Sequence, residues 1–265
     1  MQAPASQLDS RVREHFNAST ELYVNLHRKL GEVICRERLS LLHQATGKPF
    51  DWPLRMLDVG CGGGIFSDMF LETYPRALSF ALDASAGMLG VCEKSPRKHM
   101  LVADARSVPF GEGRFDLINL DAVLHHVLDV RGYDATINGI VQTLAALRQC
   151  LASDGAILIR EIYHEYQVSE TFGTRLIHFV STRTLPVPVA NLLKKIGLKT
   201  ANTGVCFLSR RQWDQVFRKA GLRVTAVYDK AWNPSWIRWL GFKASGEMHY
   251  VLTSAMVGNS GRGGN

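Results

Sequence analysis

The chain has 265 residues, of which 46% are apolar and 21% charged, with a formal net charge of +7. That supplies a large folded core, while no stretch is long and apolar enough to span a bilayer and the polar segment 1–17 lacks an apolar signal core, so a cytoplasmic protein is expected. Its five cysteines, Cys35, Cys61, Cys92, Cys150 and Cys206, lie far apart with no C-x-x-C or Cys/His ligand spacing, which predicts reduced thiols and no metal site.

From Leu8 to about Thr46 the apolar residues recur at helical spacing, as in Leu22, Leu26, Leu30 and Ile34. This predicts two or three helices forming an N-terminal cap over residues 1–50, ended by Gly47-Lys48-Pro49. Tyr23 and His27 lie one turn apart there. Tyr23 is a candidate for contact with a ligand, against the plainer reading of a helical aromatic that packs in a core.

The segment R-M-L-D-V-G-C-G-G-G (55–64) reads as a buried strand that breaks into a glycine turn, where the backbone can lie close to a small molecule. It lacks the lysine of a phosphate-binding G-x-x-x-x-G-K-[ST] loop. A helix from Phe66 to Thr73 follows and stops at Pro75. The next strand, Leu78 to Asp83, ends in an acid about twenty residues after the turn, where a doubly wound fold places the carboxylate that accepts from a ribose diol. Ser85 caps a further helix, and its Met88 can lie against a flat heterocycle.

A third strand is expected from Met100 to Ala105, ending in Asp104. A fourth runs from Arg114 into a short helical segment ending at Val127. A helix from Ala135 to Leu151 leads to a fifth strand, Ala156 to Ile162, with Glu161 at its end. Strand and helix alternate five times, which predicts an α/β fold, a doubly wound sheet with helices on both faces and a ligand site at the carboxyl ends of its strands. Two later strands, Arg223 to Tyr228 and Glu247 to Ser254, bring the sheet to seven strands, mostly parallel. The main domain is read as 51–254, with 163–206 as a lid inserted after the fifth strand and 255–265 as a disordered tail. A helix capped by Ser209 and ended by Gly221 precedes the last two strands.

The charge is unevenly placed. Residues 1–161 hold 17 Lys/Arg against 19 Asp/Glu, whereas residues 162–265 hold 14 against 5. A basic C-terminal third suits an anionic acceptor, an acidic carrier protein or an anionic membrane surface, and equally a plain solvated face. The apolar residues of the lid, among them Leu176, Ile177, Phe179, Leu185 and Val187, are expected to line a pocket for a lipophilic acceptor. Residues 185–199, with Lys194, Lys195 and Lys199, are expected to meet a membrane or carrier protein.

Together, L-D-V-G-C-G-G-G (57–64), A-L-D-A-S-A-G-M-L (81–89), A-D-A-R-S-V-P-F (103–110), F-D-L-I-N-L-D-A-V-L-H-H-V (115–127) and L-A-S-D-G-A-I-L-I-R-E (151–161) resemble the class I S-adenosylmethionine-dependent methyltransferases, nearest to their small-molecule branch. The resemblance implies that Asp58, Gly60, Gly62 and Gly64 hold the amino acid end of S-adenosylmethionine. Asp83 would take its ribose, Ala84 and Met88 its adenine face, Asp104 and Ala105 its adenine edge, with Leu120 beside them. Methyl transfer to a hydroxyl needs a base near neutral pH, and histidine suits that task. The resemblance puts His125 or His126 in that role, His125 being favoured, with Glu161 opposite them. Tyr163, His164 and Phe179 would face the acceptor. The expected activity is therefore O-methylation of a small lipophilic or anionic metabolite. A nucleic-acid methyltransferase is the alternative, disfavoured because the fourth strand ends in N-L-D-A rather than an N-P-P-Y type of segment and no RNA-binding signature is attached. A non-catalytic cofactor-binding protein of the same fold is a third reading, disfavoured by the intact glycine turn.

Overall fold

The computed structural model describes residues 31–167, 169–182, 204–232 and 241–255. Seven strands form one sheet in the order β3-β2-β1-β4-β5-β7-β6. They are β1 (Arg55–Val59), β2 (Leu78–Asp83), β3 (Lys98–Val102), β4 (Phe115–Asp121), β5 (Leu151–Tyr166), β6 (Leu222–Trp232) and β7 (Phe242–Ser254). The first five pair parallel, whereas β7 runs antiparallel to both β5 and β6. This is the doubly wound, mostly parallel sheet expected from the sequence. Chain order reverses between β1 and β4, so a crevice opens at their carboxyl ends.

Helices cover both faces: α1 (31–46), α2 (Ile65–Thr73), α3 (Ala86–Gly90), α4 (Tyr133–Cys150), α5 (Glu170–Thr182) and α6 (Arg210–Lys219), with a 3-10 turn at Leu124–His126. The alternation of side chains along β1 divides the core. Met56 packs with Phe70 and Tyr74 of the α2 side and Leu39 and Leu42 of α1, whereas Leu57 and Val59 pack with Ile140 and Leu144 of α4 and Trp213 of α6. Burying each such side chain contributes about 1.5–3 kcal/mol. α6 has a complete capping box, Ser209 Oγ accepting from Gln212 N while Gln212 accepts from Ser209 N.

Several boundaries differ from the sequence reading. β3 ends at Val102, leaving Asp104 in the loop beyond it. β5 and β7 are both longer than expected because they extend together beyond the end of β4, Tyr163 facing Gly246 and Tyr166 facing Phe242. A Cβ on Gly246 would stand 2.6 Å from Lys230 O, so a bare backbone is required where the three strands crowd. The segment read as a lid from Tyr163 onward first completes β5 and then forms α5, in which Gly173 lies so close to the Tyr166 ring that a Cβ would come within 2.1 Å of it. Of the lid's apolar residues, Ile177 is buried in a small cluster with Val205, Phe207 and Phe242, while Leu176 and Phe179 are about half exposed. Leu185, Val187 and the basic stretch to Lys199 lie outside the described residues, as do Tyr23, His27 and the tail. No helix among the described residues is long and apolar enough to cross a membrane.

Candidate active site

A cavity of about 560 Å³ opens at the carboxyl ends of the strands, within the ordinary range for a small-molecule site. One end is built on the turn after β1. Gly60, Gly62 and Gly64 all have φ between 54° and 77°, and a Cβ on Gly60 would meet Val123 Cγ2 at 2.4 Å. Gly60 N and Cys61 N donate to Leu82 O at 2.7 and 3.0 Å, which ties the turn to β2. At Gly62 an added Cβ would meet nothing within 4 Å, so this side of the turn is open. Gly60, Cys61, Gly62 and Gly63 line the cavity; Gly64 does not, because it stands at the N-cap of α2.

Asp83, Ala84 and Met88 line the same end, and so do Asp104 and Ala105. Asp83 accepts from Gly62 N at 2.9 Å and from Ser85 N at 2.8 Å, which fixes the carboxylate between the turn and α3. Burial raises its pKa above the usual carboxylate range, against those backbone donors. Asp104 is held by Arg106 at 2.6 Å. Asp58 reaches the cavity wall, yet its carboxylate oxygens turn inward, accepting from Ser67 Oγ at 2.6 Å and Asn119 Nδ2 at 2.7 Å. It locks β1 to α2 and β4.

The loop after β4 forms the middle of the cavity. Ala122 has φ 57°, a left-handed conformation costing about 1–2 kcal/mol for a residue with a Cβ, and Ala122 N donates to Arg160 O at 2.8 Å. That kink throws the chain into the 3-10 turn that carries His125 and His126. Glu161, fully buried, accepts from Leu124 N at 2.6 Å through Oε1 and meets His125 Nδ1 at 2.7 Å through Oε2. With Nδ1 donating to that carboxylate, His125 lines the cavity with Nε2 as its available lone pair. His126 Nδ1 donates to Gly204 O at 3.2 Å, and Cys206 N donates to His125 O at 2.8 Å, so the strand-like return at 204–206 braces both. Glu161 itself does not line the cavity and acts on it through His125.

The far end was not anticipated from the sequence. Asp121, Arg160, Ile162, Trp232 and Glu247 line it, with Ile34 and Cys35 of α1. Arg38 of α1, with no exposed surface, donates to Asn119 Oδ1 at 2.5 Å and lies 2.7 Å from Asp121 Oδ2. Arg160 Nε donates to Asp121 Oδ1 at 2.5 Å and Nη1 to Glu247 Oε2 at 2.8 Å. Lys230 completes the circuit between Glu247, at 3.8 Å, and Glu37 of α1, at 3.5 Å. Arg160 Nη2 has no hydrogen-bond partner among the described residues.

Four expected contacts are absent. Leu120 is fully buried in the core on the sheet face opposite Asn119 and Asp121, since side chains alternate along β4. Tyr163 is buried with its hydroxyl donating to Asp229 Oδ1 at 3.0 Å, away from the cavity. His164 pairs with Ser245 Oγ at 2.6 Å, and burial, aided by His125, lowers its pKa to about 4. Phe179 lies on the exposed side of α5.

A family model described as a methyltransferase domain matches residues 26–227. The chain belongs to that family. It is a class I S-adenosylmethionine-dependent methyltransferase. The methyltransferase is 24% identical over 228 residues to the malonyl-[acyl-carrier protein] O-methyltransferase of Halalkalibacterium halodurans, a match covering 83% of this chain and 74% of that one. The protein of the same name from Legionella pneumophila is 33% identical over 124 residues, 44% of this chain and 41% of that one. Burkholderia thailandensis 1,6-didemethyltoxoflavin-N1-methyltransferase, solved with 1,6-didemethyltoxoflavin and S-adenosylhomocysteine, shares the fold at TM-score 0.59 and 17% identity, over 96% of this chain and 92% of that one. The residues present suit the cofactor. An open glycine turn, a fixed carboxylate at the end of β2 and a methionine wall offer partners for an ammonium, a diol and a flat base.

Proposed function

We propose that this methyltransferase methylates an oxygen of a small lipophilic or anionic metabolite bound at the Arg160 end of the cavity, with His125 as the base. Bound S-adenosylmethionine supplies an electrophilic methyl group on a sulfonium. In this reading Gly60, Gly62 and Asp83 hold the cofactor, with Ala84 and Met88 against its adenine and Asp104 and Ala105 at the adenine edge. Asp58 and Gly64 support the turn from behind. The observation that carries the proposal is the contact of His125 Nδ1 with the buried Glu161 carboxylate, which fixes the tautomer and leaves Nε2 to take a proton from a hydroxyl. His126, bonded to Gly204 O, orients the turn instead.

A second reading is favoured by Arg160, which lines the cavity together with Trp232 and Ile162. Such a donor suits an acid presented on an acyl chain, including one attached to a carrier protein as in the names of the relatives. A carboxylate is already ionised at neutral pH and needs no base. The experiment that separates the readings measures S-adenosylhomocysteine production with hydroxylated amphiphiles and with free and carrier-bound dicarboxylic acyl groups. His125→Ala should cut kcat by roughly 10²–10⁴-fold on a hydroxyl acceptor while S-adenosylhomocysteine still binds. Full turnover by His125→Ala, with loss in Arg160→Met, would transfer support to the acid acceptor.

A further inference from the structure

Cys61 and Cys92 are thirty-one positions apart, yet the fold turns both thiols toward one carbonyl. Cys61 Sγ lies 3.7 Å and Cys92 Sγ 3.3 Å from Gly62 O. The two thiols are close enough that each shifts the pKa of the other. Cys61 lines the cavity from within the glycine turn, whereas Cys92 follows α3 and is anchored by a second contact, 3.5 Å from Met88 O. A Cβ placed on Gly64 would stand 3.0 Å from Cys92 Sγ and 3.4 Å from Lys98 Nζ, so thiol, ammonium and glycine share one confined space.

The pair is chemically unequal. Interaction with Cys61 and the Lys98 charge lower the Cys92 pKa despite burial, while interaction with Cys92 and burial raise Cys61. Burial raises Cys35, Cys150 and Cys206 as well, so Cys92 is the only one of the five thiols shifted toward the reactive thiolate.

We propose that Cys61 and Cys92 form a redox modification site, in which a hydroperoxide converts the thiol pair to a disulfide that closes the cofactor turn. The Cys92 thiolate attacks the peroxide, forming an S–O bond as the O–O bond breaks, and one water leaves after protonation. Cys61 sulfur then attacks the Cys92 sulfenic sulfur, the S–S bond forms, the S–O bond breaks, and the Cys61 proton departs with the second water. Two thiols lose two electrons and one hydrogen peroxide becomes two waters. A disulfide needs its sulfurs at about 2.05 Å, well inside thiol contact, so either the turn or the end of α3 moves. Gly62 lies between them, and its N–H bond to Asp83, 2.9 Å long, is the first geometry to change. The loss of cofactor affinity rests on the assignment of this turn to S-adenosylmethionine, whereas the cross-link does not.

Purified full-length protein treated with hydrogen peroxide, denatured and alkylated with iodoacetamide should carry two fewer alkyl groups than reduced protein, and peptide mapping should link Cys61 to Cys92. Calorimetry with S-adenosylhomocysteine should show at least a tenfold loss of affinity after oxidation, restored by dithiothreitol. Cys92→Ser and, as a second variant, Cys92→Ala should bind S-adenosylhomocysteine and keep that affinity in peroxide. An unchanged thiol count, or a link between other cysteines, would overturn the site. A Cys61–Cys92 link with unaltered affinity would overturn the closure. Absence of binding by fully reduced protein would instead count against the cofactor assignment of the turn, and the mass measurement would still decide the cross-link.

Discussion

Single residues at the strand ends carry most of the expected chemistry. Asp83 is held by two backbone donors and faces the cavity, so Asp83→Ala removes both a charged acceptor and the clasp on Gly62. S-adenosylhomocysteine affinity measured by calorimetry should fall tenfold or more, since a hydrogen bond to a charged group is worth about 1.5–3 kcal/mol. Unchanged affinity would remove Asp83 from the cofactor site. Glu161 gives a sharper test. Both of its oxygens face donors, and Glu161→Gln can offer only one acceptor, so its amide nitrogen must oppose Leu124 N–H or reverse the His125 tautomer. The variant should lose kcat by roughly 10²–10⁴-fold on a hydroxyl acceptor with KM and cofactor affinity retained, a split that a merely structural role would not produce. The cavity position of Asp83 was legible in the sequence because it closes β2 at a recognisable spacing after the glycine turn, and that of His125 because the family resemblance marked the segment after β4. Arg160 and Asp121 were not. An arginine at the end of A-I-L-I-R-E reads as a strand reaching solvent, and its partners, Asp121 on β4 and Glu247 on β7, stand up to 87 positions away.

At the scale of elements, the turn and the loop after β4 were shaped for one another. A methyl on Gly60 meets both a left-handed φ, costing about 1–2 kcal/mol, and the Val123 side chain, an overpacking of about 1–3 kcal/mol. Gly60→Ala should therefore lower the thermal midpoint, and Gly60→Ala with Val123→Ala should recover the steric part of that loss while leaving the backbone part. Strict additivity of the two single changes in a double-mutant cycle would show that the contact is relieved elsewhere. The strand and helix order was readable from periodicity, since five alternations of buried runs and amphipathic turns admit few topologies. The lengths of β5 and β7 were not, because Y-H-E-Y beyond Ile162 is a polar extension made regular only by its antiparallel partner. α5 was hidden by Gly173 and β-branched neighbours, residues of low helix propensity that packing on Tyr166 accommodates.

Across the whole molecule, the excess of basic residues after 162 is partly absorbed by ion pairs to acids elsewhere, Arg175 to Asp134 and Lys230 to Glu37, while Arg210 pairs within that third to Glu165 and Asp229. The most consequential circuit is Arg38–Asp121–Arg160–Glu247–Lys230–Glu37, which begins and ends on α1 and crosses β4, β5, β7 and β6. It ties the N-terminal helix to the sheet along one wall of the cavity. Burial alone would raise Asp121, and Arg38 and Arg160 outweigh it, holding the carboxyl below its usual range; Glu247 is lowered likewise, by His249 and Arg160 against burial. A carboxylate whose folded pKa is depressed adds stability above its unfolded value, about 4, and loses it as pH falls through the folded value. Asp58 and Asp83 are raised by burial and run the other way, their ionised forms being penalised until acid neutralises them. Removing Asp121 alone therefore isolates one sign. Urea midpoints measured from about pH 6 to about pH 3 should fall less steeply for Asp121→Asn than for the wild type, although the variant is less stable at neutral pH because Arg38 and Arg160 lose their shared partner. Parallel pH profiles for the two proteins would mean that the circuit holds α1 by packing, with its charges carrying no linkage to protons.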